Sequence, residues 1–269
     1  EFLENIEAFT PLGQMIGTYP GWYHGADILN GPYVNSGIGV AGSVGLTLAD
    51  RIFTWTAHPF NWNAADFLGV TFQMDFQTDG SGHFDDDRIG YMITNADYAS
   101  TNYLGVQLDP GGTGYNIETY WKDTANADYR GSLVSLPTLN LNGWYRFRLE
   151  ITKLTATSLS LTTTLTELDS SGNPIQVVAS GSIADTSTLV TNAPNSKYFT
   201  ATTIWPAYKN FNAIPGAADN AYVAFVTSGA NTPPVVSDIP DQTIAEGSSF
   251  TTISLNDYVA DVETADADI

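Results

Sequence analysis

The sequence predicts an all-β chain, a two-sheet antiparallel β-sandwich with a short C-terminal β extension, and three observations carry that expectation. Apolar and polar residues alternate with period two through the first 229 residues, the signature of strands with one face buried. Gly, Asn, Asp and Pro interrupt those runs at short intervals, as turns between strands require. The long runs number about ten, which suits two packed sheets better than a small barrel.

The clearest element is Phe67–Gln77, where Val70, Phe72, Met74 and Phe76 alternate with Thr71, Gln73, Asp75 and Gln77. Further strands are expected over Arg88–Thr94, Tyr103–Leu108, Tyr115–Trp121, Trp144–Leu154, Ser158–Leu168, Ile175–Ser182, Lys197–Ile204 and Ala221–Thr227. In Trp144–Leu154, Tyr145, Phe147, Leu149 and Ile151 belong to the core while Arg146, Arg148 and Glu150 face out, and Trp144 is assigned to packing. Leu165–Val178 contains Asp-Ser-Ser-Gly-Asn between two alternating runs and predicts a hairpin. The glycine-rich stretches Gly37–Gly45 and Gly111–Gly114 have no helix after them, so they are turns rather than phosphate loops.

Composition changes near Thr227, where small residues lead into Pro233-Pro234. The expected organisation is a sandwich over residues 1–229, a linker over 230–234 and a fragment of a second domain over 235–269. That last stretch carries eight acids and no base, and its length is below what an independent core needs.

Charge narrows the function classes. With 9 Lys+Arg against 29 Asp+Glu the net charge is −20, which leaves no basic stripe for phosphates and disfavours nucleic acid and anionic membrane surfaces as partners. There is no cysteine, and His24, His58 and His83 are dispersed, so thiolate and imidazole metal chemistry is set aside in favour of hard cations with oxygen ligands. No run approaches the roughly 18 apolar residues of a membrane helix. The start, Glu1-Phe-Leu-Glu-Asn5, has no leader-like pattern, and the Asp-, Thr-, Asn- and Gly-rich, Lys-poor composition suits a secreted protein whose export signal is absent from this sequence.

Three segments carry a family likeness. Phe84-Asp-Asp-Asp-Arg-Ile-Gly-Tyr-Met92 with Tyr103–Gln107 and Tyr120-Trp121 resembles the Asp-rich loop and following strands of concanavalin A-like, laminin-G-like and thrombospondin C-terminal lectin-type sandwiches. Asn142-Gly-Trp-Tyr-Arg-Phe-Arg-Leu-Glu-Ile151 is similar to the Trp-Tyr strand of such domains, and Asn5–Phe9 with Asp219–Val223 is similar to the first and last strands of jelly-roll carbohydrate-binding modules. Pro233–Phe250 resembles the opening of bacterial immunoglobulin- or cadherin-like repeats, which implies that the sandwich is one module of a longer extracellular protein with other domains as partners.

Asp79-Gly-Ser-Gly-His-Phe-Asp-Asp-Asp87 places Asp79, Asp85, Asp86 and Asp87 in one Gly-containing loop and is the leading calcium candidate, against the plain alternative of a solvated acidic turn. The jelly-roll resemblance implies a second, structural calcium between Glu7 and Asp219. Sugars present an apolar C–H face and a hydroxyl rim, so their sites combine aromatic platforms with planar polar groups. Trp55 and Trp62 in one presumed loop, Trp205 and Tyr208 in another, and Trp121 are the candidate platforms. Arg88, Gln107, Glu118 and Arg148, with Asp75, are expected to line one polar groove. The expectation is therefore a non-catalytic module that binds a polysaccharide or other glycan and is stabilised by calcium. Two alternatives stand beside it. One is a glycoside hydrolase or lyase on the same sandwich, although the carboxylate and Tyr motifs of the laminarinase-type and alginate lyase sandwiches are missing. The other is a calcium-dependent adhesion module.

Overall fold

The structure is a computed structural model that describes residues 2–3, 12, 22–24, 34–47, 51–55, 59–78, 88–94, 103–109, 116–122, 128–185, 205–211, 217–228, 235–254 and 258–260. The chain divides into two units, Glu1–Val226 and Thr227–Ile269.

In chain order the strands of the first unit are β1 (Phe2–Leu3), β2 (Trp22–His24), β3 (Val34–Asn35), β4 (Gly45–Thr47), β5 (Arg51–Trp55), β6 (Phe67–Gln77), β7 (Arg88–Thr94), β8 (Tyr103–Asp109), β9 (Asn116–Lys122), β10 (Asp128–Ser135), β11 (Trp144–Lys153), β12 (Leu159–Leu168), β13 (Pro174–Ile183), β14 (Trp205–Phe211) and β15 (Ala217–Thr227). One sheet runs β13-β12-β11-β6-β15-β4-β3, with β1 paired to β15, and the other runs β10-β9-β8-β7-β14-β5-β2. The β-sandwich expected from the alternation is what the chain forms.

One core joins the two sheets. Val70, Phe72, Met74 and Phe76 of β6 and Tyr145, Phe147, Leu149 and Ile151 of β11 meet Ile89, Tyr91 and Ile93 of β7 and Leu104, Val106 and Leu108 of β8. The Tyr91 ring stacks at 5.0 Å on Phe147 and at 5.4 Å on Phe72. Its hydroxyl donates to the Phe147 carbonyl at 2.6 Å, so this polar group of the core is satisfied across the sheet interface.

Several predicted strands keep their places within a residue or two, and Phe67–Gln77 and Arg88–Thr94 keep both ends. The hairpin forms as β12–β13, with Asp169 Oδ1 accepting from the Ser171 and Asn173 amides at 2.8 and 2.9 Å and Gly172 at φ 84°. Pairing of Phe2 with Val223 and of Leu3 with Tyr222 makes the first and last strands of the unit neighbours. The strands β1 to β5, β10 and β14 were not foreseen at these places. The stretches around Trp55, Trp205 and Tyr208 are thus strand rather than loop. The expected strand Lys197–Ile204 lies outside the described residues.

In the second unit, Val235–Val236 (β16) pairs antiparallel with Val259–Ala260 (β17). Gln242 holds Thr251 through two hydrogen bonds, its Nε2 donating to the Thr251 carbonyl at 2.9 Å and its Oε1 accepting the Thr251 amide at 2.7 Å. Ile239, Ile244, Phe250 and Ile253 are exposed there.

Candidate functional site

The expected polar groove does not exist as one surface. Asp75 on β6 and Arg148 on β11 lie on the outer face of the first sheet, whereas Gln107 on β8 and Glu118 on β9 lie on the outer face of the second. The shared core stands between those faces, because in each strand these residues alternate with core members. Arg88 begins β7 of the second sheet and is described through its backbone alone. Gln107 is also 1% exposed and donates its amide to Glu118, so it is a buried group with a partner rather than an open sugar contact. Arg148 stays on the surface and pairs with Glu150 at 2.6 Å.

Trp62 requires a second correction. It is fully buried, its ring lies 5.6 Å from Phe67, and its indole N–H donates to the Ala156 carbonyl at 3.1 Å. A ring enclosed on all sides has no face for a sugar. Trp55, Trp121, Trp205 and Tyr208 are described through their backbones: Trp55 pairs with Trp22, Trp121 with Leu104 and Tyr129, Trp205 with Thr94, and Tyr208 with Tyr91 and Phe53. Asp79, Asp85, Asp86, Asp87 and Glu7 lie outside the described residues.

The sixth tryptophan opens the site that sequence reasoning missed. Trp144 starts β11 opposite Gln77 and Leu168, on the outer face, and packs with Val40, Leu168 and Ala217 in a small satellite cluster. A turn fixes its position. Thr78 is buried, donates its hydroxyl to the Asn140 carbonyl at 2.5 Å and accepts the Gly143 amide at 2.9 Å, and Asn142 takes the left-handed φ of 54° that Asn tolerates well. The chain is thereby turned so that Trp144 emerges beside the end of β6.

Beside Trp144 is a cavity of about 470 Å³, within the roughly 300–1,000 Å³ of small-molecule sites. Trp144, Gln77 and Ala217 line it from the strands, Ser170 from the β12–β13 turn, Thr47 from the end of β4, and Gly37–Gly42 from the loop between β3 and β4. That loop is held by its own geometry. The Gly37 and Gly39 amides both donate to the Ser43 carbonyl, at 2.9 and 3.0 Å, and Ala41 and Gly42 take φ of 56° and 81°.

Asp219 clamps the loop from below. Its Oδ2 accepts from the Val40 amide at 2.9 Å and from the Ser43 hydroxyl at 2.8 Å, and its Oδ1 accepts the Asn220 amide at 2.7 Å. A side chain at Gly39 would press on that carboxylate, its Cβ falling 2.7 Å from Oδ2 and 2.6 Å from the Val44 carbonyl. Asp219 was expected to hold calcium with Glu7. Among the described residues it accepts from three donors of the protein, while Glu7, its expected partner, lies outside them.

Two groups in the cavity remain available to a ligand. Trp144 is 8% exposed and its indole N–H makes no hydrogen bond to another described residue, although a buried donor without a partner costs about 1–3 kcal/mol. Gln77 donates a long 3.3 Å bond to the Asn142 carbonyl and otherwise faces outward with Trp144. An indole, an amide and a hydroxyl-bearing residue around one concavity suit a small polyhydroxylated ligand.

One row further along the same face, Arg146 grips Asp75 through Nε to Oδ1 at 2.7 Å and Nη2 to Oδ2 at 2.8 Å. Asn220, at φ 51°, adds its amide to Asp75 Oδ2 at 2.9 Å. The hydrogen bonds to Asp75 raise the Arg146 pKa above its ordinary value. Consecutive residues of β15 thus secure the cavity loop and the neighbouring ion pair.

No protein family and no curated protein matches the chain by sequence. Its structure is similar to the CBM2 module of the evolved Dit of Lactobacillus casei BL23 phage J-1, at 14% identity, TM-score 0.42, covering 82% of this chain and 93% of that one. It is also similar to the carbohydrate-binding module CBM66 from Bacillus subtilis, at 10% identity and TM-score 0.33, covering 76% and 94%. A third likeness is to the PL-14 alginate lyase from Aplysia kurodai, at 9% identity and TM-score 0.41, covering 76% and 87%. Likenesses this distant do not say what the present chain binds.

Proposed function

We propose that the chain is a carbohydrate-binding module of a secreted multidomain protein and that it takes its sugar at the Trp144 cavity, without catalysis. The observation that carries this reading is the nine-tenths-buried indole whose N–H has no described protein partner and which lines a cavity of sugar size. A sugar hydroxyl would accept that N–H, the indole edge would cover C–H groups of the ring, and the Gln77 amide and Ser170 hydroxyl would fix its orientation. Preformed loops favour this role, because the binding surface needs little ordering when ligand arrives.

Calcium in the Asp79–Asp87 loop belongs to the same proposal. It is supported by the oxygen donors of that loop and would act through folding stability rather than chemistry.

The test is a glycan panel read by intrinsic fluorescence and calorimetry on the intact chain and on Trp144→Phe, with calcium and with EDTA. The reading expects saturable binding of at least one glycan that Trp144→Phe weakens about tenfold or more, in line with the loss of a central aromatic anchor. Equal binding by both proteins would move the site elsewhere, and release of reducing or unsaturated ends would make the chain an enzyme.

A further inference from the structure

The chemistry of the cavity wall also bears on the class of sugar, an inference that rests on the reading of the Trp144 cavity as the binding site. We infer that the site selects an uncharged sugar and rejects its uronic acid or sulfated counterpart.

Among the described residues the lining holds no charged side chain: its polar side chains are Gln77, Thr47, Ser170 and the Trp144 indole. The charged groups next in sequence to that lining are mostly acids. Asp219 lies two residues from Ala217 and supports the loop from beneath, Asp169 adjoins Ser170, and Asp75 is two residues from Gln77 on the same face of β6. Asp169 is held ionised by the Asn173 side chain and by turn amides, which lower its pKa.

Among the described residues the cation next along the face is Arg146, and two of its nitrogens are bound to Asp75 in a paired grip. Turning that guanidinium to an incoming carboxylate would strip Asp75, which has no exposure to water, of its charge partner. An acidic sugar would therefore enter a site whose described lining offers no cation to receive it, with Asp219 and Asp169 adjoining that lining in the chain. The chain's charge of −20 adds long-range repulsion of polyanions. A neutral ring meets none of these penalties, and its hydroxyls match the indole N–H, amide and hydroxyl already present.

The matched probe is polygalacturonate against the same polymer after carboxyl reduction, which differ only at C6, a carboxylate in one and a hydroxymethyl in the other, set within a wider panel of neutral and acidic polysaccharides. The expected result is binding of neutral members with a preference of about tenfold or more over each acidic counterpart. The preference should narrow as salt rises from 0.02 to 0.5 M, and Thr47→Lys should narrow it at low salt by placing a cation in the wall. Equal or tighter binding of acidic members, lost in Trp144→Phe, would overturn this inference and leave the sugar site standing. Binding of no glycan, or binding that Trp144→Phe leaves unchanged, would overturn both.

Discussion

Replacing Arg146 by Met tests whether the ion pair beside the cavity is a structural requirement of the first sheet. Asp75 has no solvent exposure, whereas the Arg146 side chain is 26% exposed. In Arg146→Met the carboxylate keeps the Asn220 amide at 2.9 Å and loses both charge-assisted bonds from the guanidinium. Removing one partner of a buried pair costs about 3–5 kcal/mol, and water access from the arginine's side favours the lower end, about 3 kcal/mol. For a unit of this size each kcal/mol moves Tm by about 2–4 °C, so a fall of about 6–12 °C is expected.

The converse change should be milder. Asp75→Asn preserves shape and one acceptor, and the guanidinium it leaves can turn toward solvent, so about 1–2 kcal/mol is expected. The double variant Asp75→Leu, Arg146→Met should recover part of the single Arg146→Met loss, because no charge is then left buried. Denaturant unfolding of the three variants measures these differences. A loss below about 1 kcal/mol for Arg146→Met, or a greater loss for Asp75→Asn than for Arg146→Met, would refute the reasoning.

Three other outcomes follow from the same geometry. Gly39→Ala should displace the β3–β4 loop, because the new Cβ meets Asp219 Oδ2 and the Val44 carbonyl; the check is a loss of about 1–3 kcal/mol in unfolding together with weaker glycan binding. Burial raises the Tyr145 pKa, so its contribution to stability is complete below the ordinary tyrosine value near 10 and is lost as pH climbs toward the folded value; Tyr145→Phe should flatten the alkaline limb of a stability–pH curve. Hydrogen bonds from Asn173 lower the Asp169 pKa, so that contribution is complete above pH 4 and fades as pH falls through the folded value; Asp169→Ala should make the acid limb shallower.

How much of this was legible in the sequence depended on which force set each residue's place. Period-two alternation is imposed by burial on one side of a strand, so β6 and β11 could be read with their inward residues correct. β14 gave no such signal, because Trp205-Pro-Ala-Tyr-Lys-Asn-Phe211 mixes aromatic, Pro and Lys residues. Pairing between distant strands is decided by tertiary packing, and no local pattern says that β6 lies beside β11 while β8 lies in the opposite sheet. That is why Asp75 and Gln107, alike in being polar members of alternating strands, do not share the one groove the sequence suggests. Trp62 followed the same logic: an aromatic flanked by Asn can cap a core as well as a surface, and only the Ala156 carbonyl that takes its N–H distinguishes the two.

Trp144 is the instructive case, because its side was already fixed by parity. Tyr145 and Phe147 face the core, so Trp144 must share the outer face with Arg146 and Arg148, where a large indole needs cover from something other than the main core. The structure provides partial cover through Val40, Leu168 and Ala217, which come from segments far apart in the chain. Cover that is apolar and leaves the N–H without a partner among the described residues is adequate packing and incomplete hydrogen bonding at once. The incompleteness is tolerated next to a loop that Asp219 holds rigid, and Asn220 binds that same corner to the Asp75–Arg146 pair. A corner fixed by two consecutive residues of β15 cannot easily close over the indole to satisfy it, which leaves the cavity open to a ligand that can.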